Sequence, residues 1–133
     1  MLILPRVYAS IKILVFLSGQ PNYQATTTVI SKALGSPLPA CRKTAWQLKL
    51  AGVLTSGRGP RGIRLARAPN EIWVGQLVRS LEQQRTPLGC EHELERTLFF
   101  AEATERFFEV LDSCTVMDIC LGKERDPIPR AGG

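Results

Sequence analysis

From Arg6 to Ser18, apolar residues at Val7, Ile11, Leu14, Val15 and Leu17 recur at helical spacing, and Gly19 with Pro21 marks where the predicted helix stops. A polar linker, Gln20 to Ala25, follows. Thr27 or Thr28 can cap a short second helix with Val29, Ile30, Ala33 and Leu34 turned inward and Gly35 as its left-handed stop. Ser36 to Ala51 repeats the pattern: Leu38, Cys41, Ala45 and Leu48 step by threes and fours, and Gly52 closes the helix. Pro37 and Pro39 are tolerated there because they fall in the first turn. Val53–Ser56 and Ile63–Leu65 are β-prone pieces around a Gly- and Arg-rich stretch, Gly57 to Gly62, which predicts a two-stranded hairpin.

Beyond the hairpin, Asn70 can cap a helix of roughly Ile72 to Gln84 whose Trp73, Val74, Leu77, Val78 and Leu81 form a broad apolar stripe. Arg85 to His92 reads as a loop with Pro87 and Gly89. A long helical pattern from Glu93 to Asp112 then places Leu94, Leu98, Ala101, Phe108 and Leu111 on one face, widened by Phe99, Phe100 and Phe107. Such a helix is about 30 Å long, so pairing with a second copy is favoured over burial against its own small domain. Thr115 to Asp118 predicts a capped last helix through Leu121, and Gly122 to Gly133 a polar tail.

The predicted fold class is mainly α with a small β-ribbon: a winged helix-turn-helix domain plus a long C-terminal dimerisation helix. The domain organisation is 1–84 for the winged domain, 85–92 for an effector loop, 93–121 for the dimerisation and final helices, and 122–133 for the tail.

Charge gives this pattern a partner. No carboxylate precedes Glu71, while ten of the seventeen Lys and Arg residues do, so the formal charge is +10 up to Asn70 and −5 after it. A one-signed half costs self-repulsion and attracts polyanions, nucleic acid or an anionic membrane. The helix, turn, helix and Arg-tipped ribbon select duplex DNA, with the third helix in the major groove and the ribbon along the backbone or minor groove. The longest apolar run, Ile13 to Leu17, is far too short to span a bilayer, so a cytoplasmic protein without a membrane partner is expected. One histidine and no nucleophile or phosphate-loop motif argue against an enzyme.

Leu48 to Pro60 followed by Ile63 to Arg67 resembles the wing segment of the Rrf2 family of winged-helix transcription regulators. Pro69–Ile72 with Val74–Glu82 is similar to that family's post-wing helix, and Leu111–Asp118 to its C-terminal signature. The resemblance runs from about Arg6 to Leu121. It implies a homodimer on a palindromic operator, with an effector, in some members an iron–sulfur cluster, held in the loop before the long helix. Cluster-binding members carry three cysteines in that loop, whereas this chain has Cys90 with His92 close behind. An iron–sulfur cofactor is therefore compatible with the family but lacks a complete ligand set; an oxidant or nitric oxide acting at Cys90 is the alternative input.

The candidate DNA contacts are Ser36, Pro39, Arg42, Lys43, Trp46 and Lys49 on the third helix and its leading turn, and Arg58, Arg61 and Arg64 on the ribbon. Trp46 is equally suited to packing on a neighbouring helix. The metal candidates are Cys90 and His92, and the dimer candidates Leu94, Leu98, Phe99, Ala101, Phe108 and Leu111. Cys41 reads as a small core residue. A competing expectation is a protein-interaction module of the same fold with residual DNA affinity and no effector.

Overall fold

A computed structural model describes residues 4–57, 62–83 and 98–122. Helix α1 (Leu4–Ser18) buries Val7, Ser10, Ile13, Leu14 and Leu17. These positions form one stripe at three- and four-residue steps, so Ile13 and not Ile11 belongs to the buried row. A turn at Pro21–Tyr23 leads into strand β1 (Gln24–Ala25). Helix α2 (Thr27–Leu34) starts one residue earlier than its expected caps allow, because the Thr26 side chain accepts from the Val29 N–H at 3.2 Å. Gly35 ends it at φ 65°, a conformation that an L side chain adopts only with strain. Only Ile30 of α2 is fully buried; Val29 and Ala33, expected inward, are exposed because an eight-residue helix packed along one line buries a single narrow row.

Helix α3 (Leu38–Leu50) buries Cys41, Ala45 and Leu48, as its spacing predicts. Strands β2 (Leu54–Ser56) and β3 (Ile63–Leu65) pair antiparallel. The expected two-stranded ribbon is a three-stranded sheet: β1 joins the free edge of β3, aligning Gln24 with Arg64 and Ala25 with Ile63, so the order is β1-β3-β2. A two-residue strand leaves no alternation to detect in sequence; its partner supplies the pairing.

A second difference concerns the helix after the wing. Asn70 does not cap it: Pro69–Glu71 form a 3-10 turn, and helix α4 spans Val74–Gln83. The intervening backbone is engaged elsewhere. The Val74 N–H donates to the Cys114 carbonyl at 2.9 Å and the Val116 N–H to the Ile72 carbonyl at 3.0 Å, with Trp73 and Thr115 bridged antiparallel. Helix α5 (Leu98–Asp112) packs on α4, and helix α6 (Val116–Cys120) packs on α1 and the Pro69–Glu71 turn. Thr115 and Asp118 form the expected capping box, each side chain accepting from the other's backbone N–H at 3.2 and 3.0 Å. The core is one cluster: Val116 of α6 is fully buried in the same set as Leu14, Ile30, Leu48 and Leu77, and Phe107, Phe108 and Leu111 of α5 rest partly buried against it.

Candidate nucleic-acid interface

Because Cys41, Ala45 and Leu48 turn α3 into the core, the helical period puts Arg42, Lys43 and Trp46 on the outward side, and all three are exposed. Trp46 is 61% exposed, so packing on a neighbouring helix does not account for it. Lys49 is half-buried in the last turn, where a cation complements the negative end of the helix dipole. Pro39 is exposed in the first turn. Ser36 is half-buried, and its carbonyl accepts the Ser31 hydroxyl at 2.5 Å, which ties the turn between α2 and α3. None of Arg42, Lys43 and Lys49 forms an ion pair with a described carboxylate, leaving their charge available to an external anion.

Six of the expected contact residues thus gather on α3 and its leading turn. Arg64 lies apart. It occupies the centre of β3 between buried Ile63 and Leu65, so its side chain leaves the sheet on the outward face. With Arg67 it borders a groove against the Pro21–Tyr23 turn. Arg58, Arg61, Cys90, His92 and Leu94 lie outside the described residues. Leu98, Phe99 and Ala101 belong to the first turn of α5, while Phe108 and Leu111 are half-buried against the chain's own core.

Sequence reading passed over two residues on α1. Tyr8 is 65% exposed, the Lys12 ammonium lies 4.7 Å from its ring centroid, and both border a cleft of about 210 Å³ shared with Ser36 and with Ala40 and Thr44 of α3. Their i, i+4 spacing on the polar side of an otherwise apolar helix was the available signal.

At the junction of α4 and α5, Arg79 and Asp112 form an ion pair. Arg79 donates two hydrogen bonds to the Asp112 carboxylate, at 2.6 and 2.9 Å, and its guanidinium lies 4.4 Å from the Phe108 ring centroid. Hydrogen bonding from Arg79 holds the Asp112 carboxyl below the usual carboxylate range, and the same bonds raise the arginine. Of the thiols, Cys41 is buried, Cys114 is half-buried with its Sγ 3.5 Å from the Thr115 carbonyl, and Cys120 is exposed. No three potential donors among His, Cys, Asp and Glu converge among the described residues.

A basic helix presented beside a three-stranded sheet, on a helix-turn-helix core, defines a winged helix-turn-helix protein, a DNA-binding class and not an enzyme fold. The chain belongs to the Rrf2 family of iron-dependent transcriptional regulators, which matches residues 5–121. It is 32% identical over 119 residues to the HTH-type transcriptional regulator slr0846 of Synechocystis sp., covering 83% of this chain and 81% of that one. It is 31% identical over 122 residues to the HTH-type transcriptional regulator NsrR of Geobacillus kaustophilus, covering 83% of each. Among solved structures it superposes on T. potens IscR with a TM-score of 0.68 at 23% identity, over 90% of this chain and 85% of that one. The fold and the family expected from sequence are thereby established, and the relatives are transcription regulators, not enzymes. No helix among the described residues is long and apolar enough to cross a membrane.

Proposed function

We propose that this protein is a homodimeric, sequence-specific transcription regulator that reads a palindromic operator, with α3 in the major groove and the wing arginines Arg58 and Arg61 on the adjoining backbone or minor groove. The observation that carries the reading is the exposed, unpaired Arg42–Lys43–Trp46 face in a half-chain without a single carboxylate. Ser36, Pro39, Arg42 and Lys43 stand in the leading turns, where base edges and the adjoining phosphates are met; Lys49, Lys12 and Tyr8 flank them as backbone contacts. Dimerisation through α5 would set two such faces on successive grooves, about 34 Å apart.

Sensing is the finer part of the proposal, with Cys90 and His92 as the input. A cluster takes four protein ligands and this loop offers two donors of the usual kinds, so the loop residues of one copy do not by themselves fit an iron–sulfur group. Direct modification of Cys90 needs no further ligand. Anaerobic reconstitution with iron and sulfide separates the two: visible absorption that Cys90→Ala abolishes supports a cluster, and an unchanged colourless protein eliminates it.

DNA binding is tested by salt titration on a footprinted operator. Three α3 cations per copy, Arg42, Lys43 and Lys49, give six phosphate neutralisations in a dimer, hence a slope of log K on log salt of about −5 or steeper. Arg42→Ala with Lys43→Ala should flatten that slope by about 3 to 4. A slope that ignores the double substitution contradicts the assignment of α3.

A further inference from the structure

We infer that the groove between the Pro21–Tyr23 turn and the outer end of β3 is a binding site for a small amphoteric metabolite, of which a free α-amino acid is the simplest. The groove is open to solvent, has a volume of about 790 Å³ and is bordered by Asn22, Tyr23, Arg64, Arg67, Ala68 and Glu71. That volume falls within the range of small-molecule sites, roughly 300 to 1,000 Å³. No residue of α3 lines it, so it is separate from the proposed DNA-reading face.

Three features of this groove go unexplained by folding alone. The first is backbone strain: Asn22 and Tyr23 are consecutive left-handed residues, at φ 57° and 54°. Asparagine tolerates this conformation, but a tyrosine there is uncommon, and such strain concentrates at ligand sites. The second is an orphaned donor. Arg64 is half-buried, and its Nε is out of contact with water with no hydrogen-bond partner among the described residues; buried donors are ordinarily paired, so this one stands out beside the groove. The third is charge held open. Arg64, Arg67 and Glu71 border one groove, yet neither arginine forms an ion pair with Glu71 or with any other described carboxylate. Arg64 on β3, Arg67 just beyond it and Glu71 on the 3-10 turn thus present both signs of charge to one groove with no ion pair among them.

These features specify the ligand's chemistry. Two guanidinium groups suit a carboxylate, which they can engage through paired N–H donors. Glu71 in the same groove suits an ammonium group and opposes a phosphodiester, so a simple polyanion is the poorer match. The Tyr23 ring and Ala68 offer apolar surface for a side chain. The site also has a direct line into the DNA-binding element. The strained turn runs straight into β1, which pairs with β3, and then into Thr26, which caps α2.

The test uses the full-length protein without DNA, so its failure leaves the DNA reading untouched and the reverse also holds. Thermal unfolding is followed with each standard α-amino acid in turn at millimolar concentration, with acetate, methylammonium and inorganic phosphate as single-charge probes. One or a few amino acids should raise the melting temperature by several degrees once well above their dissociation constant, and the probes should raise it less. Calorimetric titration of the best amino acid should then show about tenfold or greater weakening in Arg67→Gln and in Glu71→Gln. Both residues are exposed, so circular dichroism should find those variants folded. No shift with any amino acid, or affinity unchanged by both substitutions, overturns the proposal. Preferential binding of phosphate that Glu71→Gln strengthens also overturns it, by making the groove a plain anion site.

Discussion

Replacing Gly75 by alanine sets two effects of known size against each other. In an open helix the change stabilises by up to about 1 kcal/mol, since glycine is the poorer helix former. Gly75, however, is buried where α5 crosses α4: an added Cβ would overlap the Asp112 carboxylate, stand 2.9 Å from its Cγ and lie 3.1 Å from its Cα. The carboxylate cannot simply swing away, because both of its oxygens accept from Arg79, whose guanidinium is stacked on Phe108. Overpacking of this kind costs about 1–3 kcal/mol, which exceeds the helix gain. Gly75→Ala should therefore destabilise by roughly 1 kcal/mol, lowering the melting temperature by about 3–5 °C at fixed protein concentration. Urea denaturation of Gly75→Ala, Asp112→Ala and the double variant closes a cycle. The two substitutions should couple by about 1–3 kcal/mol, because removing the Asp112 side chain frees the space that the new methyl needs. A Gly75→Ala protein that is more stable than wild type, with effects additive to within about 0.5 kcal/mol, would refute the close approach of α4 and α5.

The same ion pair predicts a pH dependence. Hydrogen bonding from Arg79 depresses the Asp112 carboxyl in the folded state, so its contribution is complete above the unfolded carboxylate value and is lost as pH falls through the lower folded value. Below about pH 4 the stability of wild type should accordingly fall more steeply than that of Asp112→Asn, measured by urea midpoints across an acid series; parallel curves would contradict the pairing. A further prediction concerns Ser10, which is fully buried in α1 with its hydroxyl unbonded among the described residues. Ser10→Ala removes an unsatisfied group and should be neutral or stabilising by about 1 kcal/mol, and a loss of more than about 1 kcal/mol would reveal a partner for the hydroxyl.

Local rules made much of the first half legible. The Leu38, Cys41, Ala45, Leu48 spacing and the left-handed Gly35 depend on neighbours in sequence, and they locate α3 and the turn before it correctly. The larger failures involve distant partners. Gln24–Ala25 is a strand only because β3 offers its edge. Ile72 and Trp73 stay out of α4 because this stretch of backbone bridges to the C-terminal segment, with the Ile72 carbonyl accepting from Val116, the Val74 N–H donating to Cys114, and Trp73 set against Thr115. The basic face of α3 was readable because residue type and helical period suffice to define it. The groove of Tyr23, Arg64, Arg67 and Glu71 was not, since it exists only once β1 and β3 are paired.

The C-terminal segment is the least local part of the fold, and its attachment bears on how a signal could reach DNA. Three contacts tie the end of α5 to the winged domain: the Arg79–Asp112 pair, the bare backbone of Gly75 beneath Asp112, and the Trp73–Thr115 bridge that continues into Val116, buried between α1 and the Pro69–Glu71 turn. Together they anchor the end of α5 to the winged domain that carries α3. In a dimer formed through α5, the winged domain then sits at the end of a lever. The 15 residues of α5 span about 22 Å. Rotating the helix by about 10° about its far end carries the winged domain through about 4 Å, close to the rise of one base-pair step. A regulator built this way needs no rearrangement inside the DNA-binding domain. If α5 pairs with a second copy as proposed, a small change in the packing angle of the two helices would bring the two α3 faces into or out of register with successive grooves.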